Sequence, residues 1–232
     1  MKTIIYIILY SLINILVIFT DMTYELNGFM LITFYILSIF FLHKYKSVES
    51  KNDKTSDFHS NKTSIIISVI VVTCAFYVLY NILLILWLKE DFNIVDFRIY
   101  SLLDLFKIVI IYPVLEEAIY RGYFLKFSNQ RISSIKSIVI VSVIFTLTHI
   151  FTDSGLLYIF IISIFISYIF FKFKSLLICI FIHSLFNILA VFFTEHLYSA
   201  SHKYSNWLIF TSIIFITISM YNLNTQSKNE QN

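Results

Sequence analysis

Apolar and polar positions along the 232 residues fall into long blocks rather than alternating. Strict alternation would mark the strands of a membrane barrel, whereas continuous apolar runs of about 17 to 25 residues mark spanning helices. Eight such runs are present, at 3–20, 28–43, 64–88, 99–125, 135–152, 155–171, 175–194 and 205–222. The second is short. The fifth and sixth are separated only by Thr152, Asp153 and Ser154, a connection tight enough to predict an antiparallel helical hairpin. Residues 44–63 form the one long polar loop, and the tail from Asn222 is polar, which predicts fraying. The run from Ile4 to Phe19 is followed by Thr20, Asp21 and Met22 rather than a small-residue cleavage site, so it reads as a retained first span. The pattern predicts an all-α, polytopic membrane protein, a bundle of about eight transmembrane helices forming a single integral-membrane domain over 1–232.

Composition agrees with that reading. Hydrophobic residues make up 59% of the chain and charged residues 13%, against about 25% charge in a typical soluble domain. The net charge of +3 carries little by itself, but the placement of the positive residues orients the chain. With the N-terminus inside, the inner segments hold Lys2, Lys44, Lys46, Lys51, Lys54, Lys62, Lys126, Arg131, Lys136, Lys172, Lys174 and Lys228. The outer loops hold only Lys89, Arg98 and Lys203. This bias predicts cytoplasmic N- and C-termini. Cys74 and Cys179 lie far apart in apolar runs and read as packed thiols rather than a disulfide or metal framework. Abundant Ile, Phe, Tyr, Asn and Lys with little Gly, Ala or Pro matches an AT-rich coding genome. It points to a bacterial cell membrane, with the lipid bilayer as partner and no nucleic acid.

The polar residues inside the spans are few. Asp104 and Lys107 stand one turn apart near the outer end of the fourth span and read as an interfacial ion pair. Deeper in that span lies Glu116-Glu117-Ala118-Ile119-Tyr120-Arg121. One charge at the centre of a spanning helix costs about 2.5 to 3.5 kcal/mol on insertion scales, so three together need a polar interior and a purpose. At about 100° per residue, Arg121 lies about 40° around the helix from Glu117 and about 140° from Glu116. Arg121 can therefore neutralise Glu117, while Glu116 needs another partner. His149 lies in the fifth span, and His183 and Asn187, four apart and on one face, lie in the seventh. Helical rise puts Glu116, His149 and His183 about 15, 20 and 14 Å from the inner edge, near one depth. A carboxylate and two imidazoles at one level fit either a water-activating site or a divalent metal site, zinc for instance, with Glu116, His149 and His183 as candidate ligands. Pro113, the only proline, should kink the fourth span and free the carbonyl of Val109.

These residues carry a resemblance. Glu116, Glu117 and Arg121 match Glu-Glu-x-x-x-Arg; Phe145 and His149 match Phe-x-x-x-His; His183 and Asn187 match His-x-x-x-Asn. In that order and in separate spans, they resemble the CAAX-protease and bacteriocin-processing (CPBP, or Abi) family of intramembrane peptidases. The matching part covers about 99–195, which would be the catalytic core. The resemblance implies an eight-helix bundle that hydrolyses a peptide bond of a small peptide or membrane-associated substrate. It makes Glu116 the base that activates water, and His149 and His183 the groups that orient that water or bind a metal. Asn187 would stabilise the oxyanion, and Glu117 with Arg121 would support the geometry. Whether the protease is a glutamate or a metallo type stays open.

Two readings of other classes compete. A non-catalytic scaffold or bacteriocin-immunity protein could keep the fold and bind a partner peptide. An ion-coupled transporter could use the same ionisable residues, but such sites rest on broken helices and repeats, and this chain has three glycines, one proline and no visible repeat. His-Glu-x-x-His and Gly-x-Ser-x-Gly signatures are absent.

Overall fold

The structure is a computed structural model and describes residues 62–88, 101–150 and 155–229. The expected spans 3–20 and 28–43, most of the polar loop, and the Thr152-Asp153-Ser154 turn lie outside the described residues. Those described form helices α1 (Lys62–Leu88), α2 (Leu102–Phe106), α3 (Tyr112–Ile119), α4 (Lys126–Asn129), α5 (Ser134–Leu147), α6 (Leu156–Phe173) and α7 (Leu176–Asn229). Two stretches of wider π-helix, Lys107–Ile111 and Tyr120–Leu125, join α2 to α3 and α3 to α4. No strand occurs among the described residues. Four stretches are long and apolar enough to cross a membrane: Thr63–Leu86, Leu156–Phe173, Leu176–Thr194 and Lys203–Gln226. This is an all-helical membrane protein, with four such stretches among the described residues.

Two compact units hold the described residues. One contains 110–150 and 155–180, the other 62–88, 101–109 and 181–229. In the second unit, α1 is apolar on every side. It buries Ile65, Val69 and Val72 while Ile66, Ile67, Leu83 and Leu86 face outward, as a helix between protein and lipid must. Two of its polar side chains find partners, Asn81 by donating to the Tyr77 carbonyl at 2.9 Å. The Tyr77 hydroxyl meets Thr194 Oγ1 at 2.6 Å, and because the Thr194 proton goes to the Ala190 carbonyl, Tyr77 is the donor. In the first unit α5 packs against α6, the packing a helical hairpin requires. Ser137 and Ser142 on α5 and Ser163 and Ser167 on α6 are buried. Small side chains of this kind let membrane helices approach closely where no hydrophobic force draws them together.

Two expectations about element ends need correction. The loop expected between the last two spans is helix, so α7 runs on for 54 residues. Residues 195–204 contain neither glycine nor proline, and a polar stretch marks where apolar surroundings end without stopping a helix. The same holds at the ends of other elements: Lys62 and Thr63 join α1, and the polar tail stays helical to Asn229. The fifth span, expected to reach 152, ends as a helix at Leu147, which leaves His149 in the turn beyond it. The cause lies at the Phe145 carbonyl. It accepts the Thr148 hydroxyl at 2.7 Å and His149 Nδ1 at 2.9 Å. The His149 backbone N–H turns instead to Thr146, so side chains have displaced the helical bond.

Candidate active site

From Leu102 on, the fourth expected span is a helical run that widens to π twice. At its start Ser101 caps α2, and Lys107 Nζ pairs with Asp104 at 3.1 Å as an i,i+3 neighbour. Pro113 is the second residue of α3, which follows directly on the first π stretch. In that register a carbonyl faces the N–H five residues on, so the group opposite the missing proline N–H is Ile108, not Val109 as an α-helical count implies. Asn187 supplies what the proline cannot: its side-chain amide donates to the Ile108 carbonyl at 2.8 Å. Replacing Asn187 with leucine should cost about 1 to 3 kcal/mol, the usual penalty for a polar group left without its partner. Pro113→Ala, which restores an N–H, should reduce that cost in a thermal-unfolding double-mutant cycle in detergent. A cycle showing no coupling would remove this account of the bond.

Glu116 and Glu117 sit on α3 and Arg121 in the second π stretch, and all three are buried. Arg121 Nη1 donates to Glu117 Oε1 at 3.0 Å. Its Nη2 donates to both the carbonyl and the hydroxyl of Ser163, at 3.0 and 2.8 Å. The guanidinium also lies over the Phe145 ring, 4.9 Å from its centre. Glu117 and Arg121 are fully enclosed at 0% exposure, so this pair is sealed from any substrate. Ser163 is a site residue the sequence does not mark, because a serine on an apolar helix carries no signal until its neighbour is known. Ser163→Ala removes one of three acceptors of Arg121 and should lower stability by about 1 kcal/mol, measurable as a lower unfolding midpoint in detergent.

Glu116 faces a different way. Its Oε2 lies 4.0 Å from His149 Nε2, and these two side chains are 9% and 21% exposed. The pair is thus enclosed yet reachable, in contrast to its sealed neighbour. His149 Nδ1 bonds to a carbonyl, which can only accept, so Nδ1 carries a hydrogen and Nε2 is the nitrogen turned to Glu116. The arrangement combines a carboxylate that can take a proton with an imidazole edge beside it. His183 is buried and Asn187 partly so. Both belong to the second unit, as does the Ile108 carbonyl that Asn187 holds. Among the described residues no three His, Cys, Asp or Glu side chains are grouped as a metal site requires. Glu116 and His149 are the two donors that their unit brings together, of the three that a catalytic zinc site takes from the protein.

A helical membrane protein with a sealed ion pair and an enclosed carboxylate–imidazole pair is the class of molecule that fold and site define. Residues 98–189, about two fifths of the chain, match the model of the Rce1-like family, described as type II CAAX prenyl endopeptidase Rce1-like. By that match the segment is similar to the CPBP family of intramembrane peptidases. No curated protein and no solved structure matches the chain.

Proposed function

We propose that the protein is an intramembrane endopeptidase that cleaves a small peptide or a membrane-associated protein with a water activated by Glu116. The observation that carries this reading is the 4.0 Å approach of Glu116 Oε2 to His149 Nε2, beside a second glutamate already neutralised by Arg121. Two adjacent carboxylates thereby receive separate tasks. In the reaction, a water gives a proton to the Glu116 carboxylate as its oxygen bonds to the scissile carbonyl carbon. The tetrahedral oxyanion then collapses, the C–N bond breaks, and the leaving amine takes the proton back from Glu116. His149 orients the water through Nε2. The family pattern assigns His183 to the same task and Asn187 to the oxyanion, where donors matter most as charge develops. An amide carries two hydrogens, and the bond to Ile108 uses one.

The test compares membranes from cells carrying wild type, Glu116→Ala or His183→Ala, scored by mass spectrometry of candidate peptides. Both variants should lose a cleavage product while insertion and protein level stay normal. Full biological activity in both would sink the peptidase reading and leave a scaffold or immunity protein of the same fold. Metal content addresses the remaining choice of mechanism. Stoichiometric zinc that disappears in His149→Ala would make Glu116 and His149 ligands, whereas full activity after exhaustive chelation supports the glutamate scheme.

A further inference from the structure

We propose that Tyr120 and Thr148 are positioning residues, forming a hydrogen-bond relay that holds the turn bearing His149, so that Nδ1–H stays on the Phe145 carbonyl and Nε2 aims toward Glu116. The relay rests on the peptidase reading only for its purpose; its geometry stands independently. Tyr120 lies one helical turn after Glu116, and its hydroxyl reaches Thr148 Oγ1 at 3.2 Å. Donor directions follow by elimination. Thr148 has one hydroxyl proton, and it goes to the Phe145 carbonyl at 2.7 Å, so Thr148 must accept from Tyr120. The Phe145 carbonyl has two lone pairs; the second takes His149 Nδ1–H at 2.9 Å. His149 therefore presents Nε2 to Glu116, the reverse of the tautomer that free histidine favours.

The relay answers a structural need. His149 stands beyond the end of α5, so no helical backbone bond fixes its ring. A tether from the π stretch directly after the helix that carries Glu116 sets the two reacting side chains relative to each other. Its members are enclosed: Tyr120 is 0%, Phe145 3% and Thr148 7% exposed. Tyr120 also packs edge-on to Phe145 at 4.9 Å and Phe124 at 5.6 Å, so Tyr120→Phe removes the hydroxyl while retaining the ring.

The experiment uses the full chain in detergent micelles, labelled with 15N-histidine, with the His149 signals assigned from a His149→Gln spectrum. Wild type should show a protonated Nδ1 and a bare Nε2 in the neutral ring. Tyr120→Phe and Thr148→Val should each give mixed tautomers, and Thr148→Ser, which keeps the hydroxyl, should restore the wild-type pattern. On a peptide substrate, Tyr120→Phe should lower turnover about tenfold, the equivalent of one lost hydrogen bond, with KM little changed. A protonated Nε2 in wild type overturns the proposal, as do wild-type spectra in both Tyr120→Phe and Thr148→Val. The spectra need no substrate, so a protein that shows the expected tautomers and cleaves nothing loses the peptidase reading while keeping the relay.

Discussion

Glu116→Gln should reduce peptide cleavage by a factor of about 10² to 10⁴, the contribution typical of one positioned acid–base group, while the protein remains folded. Glutamine preserves the size of the side chain and can hydrogen-bond to His149 Nε2, now 4.0 Å from the carboxylate, but cannot accept the proton that water must lose. Because Glu116 stands apart from the Glu117–Arg121 pair, its loss should leave the unfolding midpoint close to wild type. The measurement is a time course of product by mass spectrometry, alongside thermal unfolding in the same detergent. Wild-type turnover in Glu116→Gln would remove the glutamate as base and direct attention to a metal-bound water.

Arg121→Leu should have the opposite profile, a loss of about 3 to 5 kcal/mol in stability, the usual consequence of leaving one partner of a buried pair alone. Three hydrogen bonds and the stacking on Phe145 disappear together, and Glu117 stays enclosed with 0% exposure. A fall of that size is a large part of the roughly 5 to 15 kcal/mol that holds most domains folded. Removing both charges, as Glu117→Leu with Arg121→Leu, should recover much of the loss, because no buried charge remains uncompensated. Arg121→Lys should not substitute, since one ammonium cannot match the fork that reaches Glu117 and Ser163 at once. The readout is the unfolding midpoint of each variant in one detergent. An Arg121→Leu protein as stable as wild type would show that the pair is dispensable to the fold.

Much of the site is legible in the spacing of its residues, because helical periodicity turns spacing into direction. Four residues separate Glu117 from Arg121, and their side chains meet; five separate Glu116 from Arg121, and Glu116 faces His149 instead. Element ends are less legible, since they depend on which group takes a carbonyl. Thr148 and His149 take the one at Phe145 and stop α5 early. Pro113 displaces a bond as expected, but the π register moves the orphan from Val109 to Ile108. Tyr120, Thr148 and Ser163 carry no sequence signal, because a hydroxyl gains a role only from the group it meets across the fold.

By itself the sequence determined that this is a helical membrane protein, since apolar runs of spanning length can satisfy their backbone in lipid only within helices. It also determined which glutamate Arg121 neutralises, because the pair lies within one helical turn. The tertiary structure alone decided which side of each apolar helix packs against protein. Ile65 is buried and Ile66 is not, a difference invisible in residues equally at home in lipid and in a core. It alone joined Glu116 to His149 and Arg121 to Ser163, contacts between separate elements that no periodicity can specify.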